Sequence, residues 1–240
     1  MSEPRHLPLD RMEMENHKNA ALAKKRSFEA WIDYVFNHPV TDPAWHFKDI
    51  EKDDWEPPED AIVEYITRLF TDAETVLSPF SNAQVNQGLW YILSPSCSNH
   101  MFALLRHPVS WRKREKAIIA AYSLFERYFV KHCANIIERD KKREPLNNVC
   151  FMWWDVFPWH GHPNEPQHAE LDNAVLSVME KILLIPHDAC RESALHGLGH
   201  WKMSYPDRVT KTIDAFLIHN PDLRPELKDY ALRARAGRVQ

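Results

Sequence analysis

The sequence predicts an all-α fold of stacked antiparallel helical hairpins, and three observations support this prediction. Apolar residues recur at helical spacing over 188–217, with one break between two helices. The segment CRESALHGLGH, which begins at Cys190, returns in outline as LKDYALRARAG, so that Ala194 recurs 37 positions later as Ala231. The 240 residues include 17 prolines and only 5 glycines, which is typical of helices joined by short rigid turns.

The first helices are expected on either side of a long loop. Residues 10–37 read as one helix, although its apolar stripe begins only at Phe28. The segment 38–58 is rich in proline, acidic residues and aromatic residues, so we expect a loop that packs against the helices or binds a ligand. Helical patterns resume with PEDAIVEYITRLF at Pro58 and continue through NAQVNQGLWYIL, which ends at Leu93.

The later helices are expected in close succession. Ser110 is a candidate N-cap for a helix that carries Ile118, Phe125 and Phe129 on one face. The segment 147–157 is apolar nearly all round, which predicts a buried helix. An amphipathic helix over 168–185 follows, and then a helix with Asp188 as its N-cap, a second one that ends before Pro221 and a third from Glu226.

The segment 188–239 resembles the HEAT-like repeats, in which the first helix reads R-x-x-A-x-x-x-L-G. Arg191, Ala194, Leu198 and Gly199 match this pattern. The resemblance implies a HEAT-like α-solenoid, and solenoids of this kind mostly hold partners along a curved surface. We therefore expect a single domain, divided as follows: a polar N-terminal arm (1–26), a long acidic aromatic loop (38–58) and a helical array (59–240) whose repeats are clearest over 188–239.

Composition narrows the classes of function. The net charge of −4 argues against a dedicated nucleic-acid binder, which usually carries a basic field. Cys97, Cys133, Cys150 and Cys190 are isolated from one another in the sequence, which favours a reducing compartment. Neither a secretory leader nor an apolar run long enough for a membrane span is recognisable, so we expect a cytoplasmic protein without a membrane partner.

Three polar residues share one stripe of the helix that begins at Asp188. Glu192, His196 and His200 follow one another at four-residue spacing, opposite the apolar residues Leu195 and Leu198 on a helical wheel. This pattern predicts a solvated face or a stripe that binds a partner. Two histidines four residues apart can also hold a metal, as in HExxH helices, but the glutamate is missing and two glycines intervene. We predict no metal ligand, and we keep metal-dependent activity at His196 and His200 as an alternative.

The tryptophan-rich middle of the chain is the second candidate site. Trp153 and Trp154 precede Asp155, and Trp159 follows. These residues are either core aromatics with a carboxylate that needs a hydrogen-bond partner, or an aromatic pocket for a planar or cationic ligand. The histidines of the next loop, which include His160, match no defined metal motif, so we interpret that loop as a rigid connector.

The chain is also similar in size and helix content to the HEAT-like alkylpurine DNA glycosylases. On that resemblance, Trp154 takes the place of a family tryptophan and Arg191 that of an arginine. Pro158 occupies the position of the family's catalytic aspartate, and the second family tryptophan would fall near Arg233. The resemblance therefore implies shared architecture more than shared activity.

These observations predict a non-enzymatic scaffold that binds another macromolecule, with a protein as the expected partner. The predicted binding residues are Trp153, Trp154, Asp155, Trp159, Arg191, Glu192, His196 and His200. DNA binding or DNA repair is the first alternative, and metal-dependent activity is the second. We predict no catalytic residue and no cofactor.

Overall fold

The computed structural model describes residues 27–48, 57–138 and 144–239, and this part of the chain contains helices and no strand. The predicted all-α class is confirmed. The polar arm over 1–26, the centre of the acidic loop and residues 139–143 lie outside the described residues. The α-helices are α1 (Phe28–Phe36), α2 (Glu59–Thr71), α3 (Ala73–Val76), α4 (Asn82–Leu93), α5 (Trp111–Ser123), α6 (Val130–His132), α7 (Pro145–Val156), α8 (Ala169–Leu183), α9 (Asp188–Trp201), α10 (Pro206–His219) and α11 (Pro225–Arg235).

Several predicted helix ends agree with the structure to within a residue or two. Ser81 and Gln84 form a capping box at the start of α4, and Ser110 precedes α5 as its N-cap. Asp188 was predicted as the N-cap of α9, but His187 is the N-cap and Asp188 is the first helical residue. An acidic side chain is also favourable there, because the first turn of a helix carries partial positive charge.

The helices contact one another in an ordered way. In one set α1 contacts α4, α4 contacts α7, α7 contacts α9 and α9 contacts α11. In the other set α2 contacts α5 and α5 contacts α8. Helix α9 also contacts α8 and α10, so it is surrounded by four other helices. In the described chain, one helix, α11, follows α10, where the sequence predicted a third helix from Glu226.

The centre of the fold is apolar and closely packed. Trp153 contacts the rings of Phe70, Phe125 and Phe129, with ring centroids 5.5 to 5.8 Å apart. Helix α9 is buried along its length except at Asp188, Arg191 and His200. None of the helices in the described chain is both long and apolar enough to cross a bilayer.

The two glycines of HGLGH allow close packing around α9. A Cβ atom on Gly197 would lie 2.5 Å from the Cβ of Trp154 and 2.6 Å from the sulfur of Met179. A Cβ atom on Gly199 would lie 2.5 Å from a methyl group of Val239. These separations are well below van der Waals contact, so α7 can approach α9 only where residue 197 lacks a side chain.

The described ends of the long loop pack down on the helices. Trp45 is buried, stacks on His38 with ring centroids 3.8 Å apart and contacts Tyr91 of α4. For Trp45, the expectation that the long loop packs against the helices is therefore correct. Phe47, only two residues later, is 62% exposed.

Candidate functional site

The polar stripe of α9 does not face solvent, and this part of the sequence analysis was wrong. Glu192 and His196 are each only 3% exposed, and the His200 side chain is 29% exposed. The helical wheel assumed that α9 has one buried face. Because four helices surround α9, the side opposite Leu195 and Leu198 is also covered.

Glu192 has a structural contact that accounts for its burial. Its carboxylate accepts a hydrogen bond from the backbone N–H of Glu138, at 2.6 Å. A buried carboxylate is tolerated when it receives hydrogen bonds of this kind. Glu192 therefore connects the start of α9 to the segment before α7 and does not join the two histidines of its stripe.

His196 and His200 meet a carboxylate from a different helix. The Nε2 atom of His200 lies 3.2 Å from the Nε2 atom of His196 and 3.2 Å from an oxygen of Asp155, on α7. One donor atom from each of the three residues lies within 4.8 Å of the other two. We call this group the Asp155–His196–His200 cluster. The sequence analysis named all three residues but placed Asp155 in a separate site.

The His196 ring is held in a fixed orientation. Its Nδ1 atom lies 2.6 Å from the hydroxyl oxygen of Tyr230, on α11. Phe151 packs against the ring at a centroid distance of 4.5 Å. Because Tyr230 occupies Nδ1, the atom that faces His200 is Nε2. Neither Tyr230 nor Phe151 was a predicted site residue, and neither carries a local sequence signal for this role.

Burial is the main influence on the charge of both imidazoles. It lowers the pKa of His196 to about 4; the neighbouring His200 acts in the same direction, and Asp155 opposes it. Burial also lowers the pKa of His200, with Asp155 opposing and His160 reinforcing the shift. Both rings are consequently neutral near pH 7 and offer nitrogen lone pairs.

The tryptophans of the middle segment have two different roles. Trp153 and Trp154 are 1% and 2% exposed and belong to the core, which agrees with their interpretation as core aromatics. Trp159 is half-buried, and its indole N–H donates to Asp172 at 2.6 Å. This contact holds the indole against α8.

Asp172 fixes the loop that follows α7. This fully buried carboxylate accepts hydrogen bonds from the indole of Trp159, from the backbone N–H of His162 at 2.7 Å and from the hydroxyl of Tyr205 at 2.5 Å. The sequence analysis did not select Asp172. The only sequence feature that marks Asp172 is its place directly after Leu171, at the start of an amphipathic helix.

Arg191 lies apart from the cluster. It donates to Asn220, the residue that follows α10, at 3.2 Å and lies over the ring of Phe216 in the last turn of that helix. It also lines an open cleft with Asp188 and Arg224. The structure therefore does not bring Arg191 together with Trp154, which the glycosylase resemblance had placed in one site.

Comparison of the chain with protein-family models, with curated proteins and with solved structures finds no match. The resemblances to HEAT-like repeats and to the glycosylases therefore stay predictions, and so does binding to a partner protein or to DNA. The function must be argued from the residues of the site.

Proposed function

We propose that this protein is an α-solenoid that binds a divalent transition-metal ion, with zinc as the best fit, through Asp155, His196 and His200. The sequence analysis had kept this function only as an alternative. The proposal rests on the convergence of two imidazole nitrogens and one carboxylate oxygen from two helices. Imidazole and carboxylate are ordinary zinc ligands, and three protein ligands are the usual number in zinc sites that keep a fourth position open.

The donor spacing is compatible with tetrahedral coordination. Zinc bonds to histidine nitrogen and carboxylate oxygen are about 2.0 to 2.2 Å long, so neighbouring donors on a tetrahedron stand about 3.3 to 3.5 Å apart. Two of the three donor pairs in the cluster are separated by 3.2 Å, and the atoms of the third pair, from Asp155 and His196, lie within 4.8 Å of each other.

The surroundings of His196 match a common feature of metal-ligating histidines. Such a histidine usually engages its second ring nitrogen with an oxygen atom, which fixes the ring and leaves the other nitrogen for the metal. Here the hydroxyl of Tyr230 engages Nδ1 at 2.6 Å. This contact supports Nε2 as the ligand atom.

A hydrogen-bonded cluster without a metal is the competing explanation. With both rings neutral, the Nε2 atom of His200 carries either one hydrogen or one lone pair, although it lies 3.2 Å from both the Asp155 oxygen and the His196 nitrogen. In either tautomer, only one of these two contacts can be a good hydrogen bond. A metal ion satisfies all three donors at once, which favours the metal.

The solenoid part of the proposal is supported by the order of helix contacts. Helices α1, α4, α7, α9 and α11 follow one another in one row, and α2, α5 and α8 in a second. Arg208 of α10 extends the second row, because it forms an ion pair with Glu180 of α8 at 2.7 Å. Two rows that alternate along the chain are the arrangement expected of stacked helical hairpins.

Titration of the metal-depleted protein with Zn²⁺ in a calorimeter tests the proposal. We expect one ion per chain and an affinity that falls by roughly 100-fold or more in His196→Ala and in Asp155→Ala, since even the loss of a group that supports a ligand costs about 10- to 100-fold. His219→Ala is the matched control, because His219 is an exposed histidine at the end of α10. Equal binding by the wild type and both site variants would refute the proposal.

A further inference from the structure

We infer that His160 supplies the fourth ligand of the metal site, which makes it a closed site of three histidines and one aspartate. This inference rests on the proposed metal binding. It concerns a residue of the loop between α7 and α8, which the sequence analysis interpreted as a connector only.

His160 is the next imidazole beyond the cluster. Its ring centroid lies 6.2 Å from that of His200, with the planes at 75°. For two imidazoles on one tetrahedral zinc ion, the centroids would be about 5 Å apart, given a bond of about 2.0 Å and the radius of the ring. The His160 ring therefore needs to approach by about 1 Å, which a side-chain rotation can provide.

The backbone around His160 is held beside the cluster, while its side chain is exposed. The hydroxyl of Ser204 donates to the carbonyl oxygen of His160 at 3.2 Å, and Asp172 receives the indole N–H of Trp159. Gly161 has a φ of 85°, and a Cβ there would lie 2.9 Å from the ring of Trp201. The chain therefore passes close against the end of α9, where His200 lies.

This arrangement differs from that of an open, catalytic site. In a catalytic zinc site, the fourth position holds water or substrate, whereas structural sites fill all four positions with protein ligands. His160 offers a nitrogen donor from a loop that is held beside the cluster at residues 159, 160 and 161. A donor held so close favours the closed site. The ion would then join α7, α9 and the loop after α7, and its binding would stabilise the folded chain.

Substitution of the candidate ligand by cysteine, followed by loading with Co²⁺, tests the inference. We expect His160→Cys to show the intense near-ultraviolet charge-transfer absorption of a thiolate bound to Co²⁺. His162→Cys is the matched control, since residue 162 belongs to the same loop but its ring packs on Trp159. We expect no such band from the control.

The affinity of His160→Ala for Zn²⁺ provides a second measurement. We expect it to fall by roughly 10- to 100-fold, and added azide should alter the visible spectrum of its Co²⁺ form but not that of the wild type. The inference would be overturned, and the three-ligand proposal would remain, if the wild type binds Zn²⁺ and three further results are obtained. These are an unchanged affinity in His160→Ala, no thiolate band in His160→Cys, and a change in the visible spectrum of the wild-type Co²⁺ form when azide is added. No metal binding by the wild type would overturn both.

Discussion

The contact between Gly197 and Trp154 predicts a large loss of stability in Gly197→Ala. The added methyl group would come within 2.5 Å of the Trp154 Cβ and 2.7 Å of its Cγ. The position of a Cβ is set by the backbone, so Trp154 cannot rotate away and α7 must shift. Overpacking of this kind costs about 1 to 3 kcal/mol, whereas alanine regains about 1 kcal/mol through helix propensity.

We expect overpacking to prevail at Gly197, because the overlap exceeds 1 Å and the site lies between two core helices. With a cost at the upper end of the range, the net effect is a loss of about 2 kcal/mol in the free energy of unfolding, which corresponds to a fall of about 4 to 8 °C in melting temperature for a domain of this size. Equilibrium unfolding in urea, followed by circular dichroism, measures the change.

Gly199→Ala is the control for this prediction. Its added methyl group would meet the side-chain methyl groups of Val239, and these can turn about one side-chain torsion without the shift of a core helix. We expect a change within about 1 kcal/mol, since the gain in helix propensity offsets the displacement. A Gly197→Ala protein that is as stable as Gly199→Ala would show that α7 and α9 do not approach as closely as the structure indicates.

Three further predictions concern single polar side chains. Tyr230→Phe should weaken Zn²⁺ binding by about 10-fold with little loss of stability, because only the hydroxyl at His196 Nδ1 is removed. Asp172→Asn should lower the free energy of unfolding by about 2 kcal/mol or more, because a buried acceptor of three hydrogen bonds loses its charge. His100, which burial shifts to a pKa of about 4, should reduce stability on acidification. Below pH 6.5, His100 is protonated in the unfolded chain but stays neutral in the folded one, so this residue costs about 2 kcal/mol of stability between pH 7 and pH 5. The variant His100→Gln should remove this part of the pH dependence and leave the part that His196 contributes.

Each of these predictions has an outcome that contradicts it. Unchanged zinc affinity in Tyr230→Phe would mean that the hydroxyl does not orient His196. An Asp172→Asn protein with wild-type stability in urea would show that the three hydrogen bonds contribute little. Parallel stability curves for wild type and His100→Gln between pH 7 and pH 5 would show that folded His100 accepts a proton as readily as an unfolded one.

The sequence predicted the elements of the C-terminal part well, because helix periodicity is a local property. Helix α9, the break near Pro206 and the stop before Pro221 all follow from residues within one or two turns of each other. The orientation of Glu192 and His196 could not be predicted in this way. Ala194, Leu195 and Leu198 identify the apolar side of α9, which is buried however many helices surround it. Whether the opposite, polar side is also buried depends on the number of neighbouring helices, which the local sequence does not specify.

The cluster itself is a property of packing. Asp155 and His196 stand 41 positions apart in the sequence, so no spacing motif joins them. The contact that brings them together is the one between Trp154, next to Asp155, and Gly197, next to His196. With any larger residue at 197, α7 would have to lie farther from α9, and the 3.2 Å separation between Asp155 and His200 would open. Gly197, one of the two glycines that argued against a rigid metal-binding helix, is thus the residue that allows the carboxylate of a second helix to reach the histidines.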